Sequence, residues 1–179
     1  IITPMKSGFV AIVGRPNTGK STLINALVGQ KVAITSHHPN TTRHAIRGIV
    51  NGPDFQAVLV DTPGMHKPRT LLGRRLNEVV TESLESVDIV IMTFPANEKT
   101  GAGDEHILNI VKNSRAKKIA VVTKIDTVAK ETLPVRLMEV GGLADWTEII
   151  PVSAVKALQV DVLSTLLSKH LPEIGRAHV

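Results

Sequence analysis

The chain has 179 residues, a length that favours one domain able to bury a substantial core. It is 42% hydrophobic but only 2% aromatic, so that core must be built from Val, Ile and Leu, and the absence of cysteine excludes disulfides and thiolate metal sites. The net charge of +5 is a moderate excess that fits solubility, and no apolar run approaches the roughly 20 residues of a membrane span. With no secretory signal pattern, the expectation is a soluble cytoplasmic protein.

Apolar runs alternate with amphipathic stretches along the whole chain. Gly8–Val13 reads as a short buried strand, Gly14–Ser21 as a glycine-bearing turn, and Lys20–Val28 as a helix stopped by Gly29. Lys31–His44, rich in Thr, His and Pro, reads as a loop. Ala45–Val50 and Phe55–Val60 flank Asn51-Gly52-Pro53-Asp54, a hairpin signal, so these strands are expected to be antiparallel neighbours. Leu72, Leu76, Val79, Val80, Leu84 and Val87 recur at helical spacing over Arg69–Ser86. A strand over Asp88–Phe94 follows, then a helix over Asp104–Ser114 capped by Gly103 or Asp104. Lys118–Val122 reads as a strand, Thr127–Val140 as helix broken near Pro134, Glu148–Val152 as the last strand and Val160–His170 as the closing helix. The alternation predicts an α/β fold, a six-stranded mostly parallel sheet with one antiparallel edge hairpin and helices on both faces. Residues 8–171 form the expected domain, while 1–7 and 172–179 fit no packed element and are expected to be flexible ends.

Gly14-Arg15-Pro16-Asn17-Thr18-Gly19-Lys20-Ser21 matches G-x-x-x-x-G-K-[ST] between a predicted strand and a predicted helix, with Thr22 next. A polyphosphate must be wrapped by backbone N–H groups, which demands glycine where a side chain would collide, and the helix N-terminus adds its positive end. Lys20 is expected to reach the β- and γ-phosphates and Ser21 to ligate Mg²⁺. Asp61-Thr62-Pro63-Gly64 ends a buried strand, where ligands sit in open α/β sheets. Asp61 is expected to hold Mg²⁺ through water, and the Gly64 N–H to sense the γ-phosphate. Thr123-Lys124-Ile125-Asp126 ends another strand. A carboxylate there accepts from N1–H and the 2-amine of guanine, a donor pair adenine lacks, and the Lys124 stem covers the ring. Ser153-Ala154 after the last strand offers a further backbone N–H to the base. In Pro39–His44, Thr42 is preferred to Thr41 as the hydroxyl that closes on Mg²⁺. The bland alternatives are a chance glycine turn, an ordinary D-x-P-G turn and a helix-capping Asp126; the shared order and strand-end context weigh against each. His37, His38, His44 and His66 lack zinc-site spacing. Arg43, His44 and Arg47, and His66, Lys67, Arg69, Arg74 and Arg75, form basic patches for which solvated charge is the commoner reading beside RNA contact.

Taken together, GRPNTGKST (Gly14–Thr22), NTTRH (Asn40–His44), DTPG (Asp61–Gly64), TKID (Thr123–Asp126) and Ser153–Ala154 resemble the Era family of translation-factor-class GTPases. Related bacterial GTPases usually carry Asp where this chain has His44. The resemblance implies a P-loop G domain that hydrolyses GTP to GDP as a conformational switch, coupled to 16S rRNA binding and assembly of the 30S subunit. In the family a C-terminal KH domain binds the RNA; this chain stops before one could begin and is expected to be a G-domain fragment. Two departures matter. The family more often has Asn at Thr123, so base binding is expected to be somewhat weaker. Met65 follows Gly64 where Ras-type enzymes place a water-orienting Gln; some relatives use a K⁺ ion held by a P-loop Asn, which implies Asn17 as a K⁺ ligand and K⁺-stimulated turnover. Catalytic roles therefore fall to Lys20, Thr42, Gly64 and Asn17. The alternatives are a nucleotide-gated RNA- or protein-binding module of a related bacterial GTPase, in tRNA modification or large-subunit assembly, and an ATP-using P-loop kinase, with which Asp126 conflicts. Peripheral contact with the inner membrane and the oligomeric state are left open.

Overall fold

The structure, a computed structural model, describes residues 5–29, 45–61, 84 and 86–173. In chain order these form β1 (Lys6–Val13), α1 (Lys20–Val28), β2 (Ala45–Asn51), β3 (Phe55–Asp61), β4 (Ile89–Pro95), α2 (Ala102–Lys112), β5 (Lys117–Thr123), a 3₁₀ turn (Ile125–Thr127), α3 (Leu133–Gly141), β6 (Glu148–Pro151) and α4 (Val160–His170). The six strands lie in the order β2-β3-β1-β4-β5-β6. β1 pairs in parallel with β3 and β4, β5 with β4 and β6, and only β2 runs antiparallel, on β3 at the edge. The predicted sheet is therefore found, hairpin included.

Because side chains alternate across a strand, each apolar run feeds two cores at once. Val10, Ile12, Leu59, Ile89, Ile91, Ile119 and Val121 pack on one face with Leu23, Ile24 and Leu27 of α1 and Leu163 and Leu167 of α4. Ala11, Val13, Val90, Met92, Phe94, Ala120 and Val122 take the other face with Ile107, Leu108 and Val111 of α2 and Val140 of α3. Each such leucine or isoleucine contributes roughly 1.5–3 kcal/mol through burial. The aromatic-poor composition thus describes a sheet buried on both sides. Phe94 and Trp146 meet edge to face at 5.8 Å, and the Trp146 indole N–H donates to the Val140 carbonyl at 2.8 Å.

Some local expectations are corrected. β1 begins at Lys6, Ser7 N–H donates to the Pro172 carbonyl at 3.0 Å, and Lys6 bridges Glu173, so these four residues belong to the packed unit. Two residues at either end of the unit carry no periodicity, so the sequence alone leaves them with the flexible ends. α2 starts at Ala102 with Gly101 as its cap, and Asp104 sits inside the helix, its Oδ2 accepting the Gly101 N–H at 2.9 Å. Pro134 opens α3 instead of breaking a longer helix, since a first-turn residue has no N–H to contribute to the ladder. Gly29 ends α1 at φ 71, as predicted. Of the predicted helix Arg69–Ser86, Leu84 and Ser86 alone are described; Leu84 is fully buried. The predicted loop Lys31–His44 lies outside the described residues, as do Thr62–Gly64 and Met65.

Candidate nucleotide-binding site

The parallel strands β1, β3, β4, β5 and β6 all end at one edge of the sheet, and the Gly14–Ser21, Thr123–Asp126 and Ser153–Ala154 segments emerge there from β1, β5 and β6. Asp61 ends β3 beside Ile12, in register with β1.

Gly14–Thr22 folds against the strands beneath it. A Cβ on Gly14 would stand 2.2 Å from Thr93 Oγ1 and 2.9 Å from Thr18 Oγ1, so no larger residue fits. Thr18, fully buried, donates its hydroxyl to the Arg15 carbonyl at 2.8 Å and meets the Thr93 hydroxyl at 2.7 Å. Thr93 also approaches the Val13 carbonyl at 3.2 Å. Asn17 takes φ 65, a left-handed conformation that Asn tolerates better than most residues. Lys20 Nζ lies along the loop and donates to the Gly14 carbonyl at 2.8 Å. Gly19 caps α1 at its N-terminus, leaving the first helical N–H groups facing the groove.

The opposite wall comes from the β5 turn. Lys124, at φ 60, lays its side chain across the groove and donates Nζ to the Asn17 carbonyl at 2.7 Å. The Thr123 hydroxyl, nearly buried, donates to the Thr18 carbonyl at 2.5 Å. Thr123 therefore ties the β5 turn to the P-loop backbone. Asp126 Oδ1 accepts the hydroxyl of the fully buried Ser153 at 2.8 Å, and Ser153 Oγ in turn accepts the Lys156 N–H at 3.1 Å.

Two adjoining cavities follow from this arrangement. One of about 290 Å³ is lined by Asn17, Gly19, Lys20, Ser21, Thr22 and Lys124; its wall is donors and hydroxyls. The other, about 60 Å³, is lined by Gly19, Thr22, Thr123, Lys124, Asp126, Ala154 and Val155. The first suits a polyphosphate: it has two lysines, two hydroxyl side chains and a helix N-terminus, with no carboxylate among its lining residues. The second presents one carboxylate beside apolar walls and a lysine stem, which suits a flat base with adjacent N–H donors. Every sequence-predicted site residue in the described segments falls on this edge. Thr42, Thr62, Pro63 and Gly64, and the four histidines, lie outside the described residues. Sequence reasoning missed the Thr93 contact beneath Gly14 and the Ser153 hydroxyl on Asp126; each partner is remote in sequence, and no spacing rule links them.

Residues 9–124 match the family of 50S ribosome-binding GTPases, and the chain belongs to that family. Within it, the chain is 53% identical over 174 residues to the GTPase Era of Mycobacterium avium, covering 96% of this chain and 58% of that protein. It is 57% identical over 171 residues to the GTPase Era of Mycobacterium leprae, covering 93% and 57% respectively. A crystal structure of Era in complex with MgGDPNP and nucleotides 1506–1542 of 16S ribosomal RNA superposes with a TM-score of 0.78 at 38% identity, over 94% of this chain and 58% of that one. An Aquifex aeolicus Era variant bound to GDP and AlF₄⁻ gives 0.77 at 38% identity, with the same coverage. The resemblance read from the motifs is borne out. The chain spans just over half the length of the relatives it matches. No helix among the described residues is long and apolar enough to cross a membrane.

Proposed function

We propose that this chain is the GTP-binding unit, spanning residues 6–173, of a cytoplasmic protein that hydrolyses GTP to GDP and phosphate as a switch in 16S rRNA binding and 30S assembly. The observation that carries the nucleotide reading is the meeting of Lys20 and Asp126 along one groove, joined by the Lys124 bond to the Asn17 carbonyl. The RNA and ribosome part is supported by the Era relatives, one of which is seen with MgGDPNP and 16S RNA.

In this reading the backbone N–H groups of Gly14–Ser21 wrap the phosphates, and Lys20 gives up its bond to the Gly14 carbonyl or shares it. Asp126 accepts from guanine, held in place by Ser153, and the Lys124 stem covers the ring. Ser21, Thr42 and Asp61 would hold Mg²⁺, which when bound neutralises charge on the phosphate oxygens. Thr42 and Gly64 position the attacking water and sense the γ-phosphate. Asn17 would hold a K⁺ ion, which when bound would add positive charge beside the phosphates, where Met65 has no group to orient water. The bond from water oxygen to γ-phosphorus forms as the bond to the β–γ bridging oxygen breaks, leaving GDP and inorganic phosphate.

Asp126→Asn with GTP and XTP offered side by side tests the base assignment. The amide presents a donor where the carboxylate accepted, so GTP binding is expected to fall and XTP binding to rise. Unchanged GTP affinity would overturn it. The switch is tested in the longer protein by comparing 16S rRNA affinity in GTP- and GDP-bound states; equal affinities would remove it.

A further inference from the structure

The connection from β4 to α2, Ala96–Gly101, is gripped from two sides by arginines. From the P-loop, Arg15 Nε lies 2.8 Å from Asp104 Oδ1 as an ion pair, and Arg15 Nη2 lies 4.0 Å from Glu98 Oε2. From α3, the buried Arg136 donates Nε to the Pro95 carbonyl at 3.2 Å and Nη1 to Thr100 Oγ1 at 2.9 Å. Asp104 is 0% exposed. Its other oxygen accepts the Gly101 N–H, so one carboxylate both starts α2 and receives the P-loop arginine. Gly103 makes room for that arginine: a Cβ there would stand 2.9 Å from Arg15 Cδ and 3.2 Å from Cγ.

A helix start needs only a short polar acceptor, and an exposed Ser or Asn serves as well as Asp. A carboxylate with no exposure is costly unless a cation faces it. Here that cation comes from the loop that wraps the phosphates. The Arg15 carbonyl accepts the Thr18 hydroxyl, and the Thr18 carbonyl accepts the Thr123 hydroxyl. Arg15 therefore stands at the head of a chain of contacts running from α2 through the P-loop to the base-side turn.

We infer that Arg15 and Asp104 are a positioning pair: anchoring the P-loop to α2 holds its N–H groups in the phosphate-binding arrangement, and Arg15 serves nucleotide affinity through Asp104 and not by stabilising charge on the transferred phosphoryl group. This rests on the nucleotide-binding reading above. Groups held in place before the ligand arrives bind it more tightly than groups that must be ordered on arrival. A loop arginine paired with a fully buried carboxylate on a helix is committed to that partner, and the γ-phosphate would have to draw it away.

The test is a double-mutant cycle of Arg15→Ala and Asp104→Asn. Dissociation constants for GDP and a GTP analogue are measured, with the single-turnover rate of GTP hydrolysis at saturation and thermal stability. Asn at 104 keeps an acceptor for Gly101 and removes the charge that Arg15 faces. Each single variant is expected to lose about tenfold in affinity for both nucleotides, and the double variant no more than either. The rate at saturation declines far less than affinity. Arg15→Lys, which keeps the charge but not the fork, is expected to recover part of the loss. The double variant should also melt above Arg15→Ala, because it no longer leaves a buried carboxylate without its cation. Additive losses would overturn the pairing. So would a tenfold or greater fall in the saturated rate for Arg15→Ala alone, with Asp104→Asn unaffected, which would place Arg15 on the phosphate. If the parent chain binds neither nucleotide, the nucleotide reading itself fails; if it binds both and no variant differs, only the pairing fails.

Discussion

The two walls of the groove hold their ligand-facing groups by different means. On the phosphate wall the working groups are mostly backbone: a turn with no room for a Cβ at Gly14, a left-handed Asn17 and the open N-terminus of α1. On the base wall the working groups are side chains, and each is aimed by another residue. Ser153 holds Asp126, the Asn17 carbonyl holds Lys124, and the Thr18 carbonyl holds Thr123. A wall of backbone amides recognises charge and shape common to all nucleoside triphosphates. A wall of aimed side chains recognises one base, and one atom's change there alters which base is taken.

The contrast predicts where single substitutions act. Asp126→Asn is expected to have the largest effect, shifting the GTP-to-XTP affinity ratio by about 10²–10⁴, since two hydrogen bonds to a charged acceptor are at stake. Binding titrations with both nucleotides read it, and an unmoved ratio would erase the division between the walls. Lys20→Ala should lower single-turnover hydrolysis by about 10²–10³ while leaving the preference for guanine over xanthine in place. A changed base preference would show that the walls are not separable. Thr123→Val removes the donor to the Thr18 carbonyl without changing shape. It is expected to cost about 1–3 kcal/mol in stability or nucleotide affinity, measured by denaturation and titration. No loss would mean that the walls are tied by Lys124 alone. Replacing Na⁺ by K⁺ is expected to speed turnover, and Asn17→Ala to abolish that response; no K⁺ effect in the parent chain would remove the ion from the phosphate wall.

The smallest effect lies away from both walls. His170, at the end of α4, has a nearly buried side chain 3.9 Å from Glu148. Burial, with Lys117 nearby, lowers its pKa below the ordinary 6.5. The unfolded chain therefore takes up the proton first. The stability that neutral His170 contributes is full above about pH 6.5 and is lost as pH falls through the lowered value. Thermal melts between about pH 5 and pH 8 should show this slope, reduced in His170→Asn, with the GTP-to-XTP ratio unmoved. A ratio that tracks the melt would connect this distant helix end to the base wall.

Legibility in the sequence divides in the same way. Gly14–Ser21 could be read directly because a polyphosphate constrains the backbone, and a backbone constraint leaves a glycine at a fixed offset. Asp126 could be read because the strand before it was plain from its apolar run. The Ser153 hydroxyl could not: that segment was read for a backbone N–H, and nothing within 27 positions points its side chain at Asp126. The sequence offers Gly103 or Asp104 as the cap, whereas the cap is Gly101; Asp104 accepts its N–H from inside the helix and faces Arg15, 89 positions earlier, which no local pattern announces. Pro134 reads as a break in the sequence and opens α3 in the fold, because a proline's meaning depends on whether the turn before it is already helical.

By itself, then, the sequence determined the order of strands and helices among the described residues, the two-faced aliphatic core and which segments gather at the sheet edge. Local periodicity and fixed-offset motifs are short-range quantities, and a linear string carries them whole. Only the tertiary structure decided that Thr93 lies beneath Gly14, that Ser153 aims Asp126, and that the P-loop arginine is spent on a carboxylate of α2. Each of these joins residues that meet because the parallel strands end at one edge. Such contacts come from topology and packing, in which distance along the chain no longer measures distance in space.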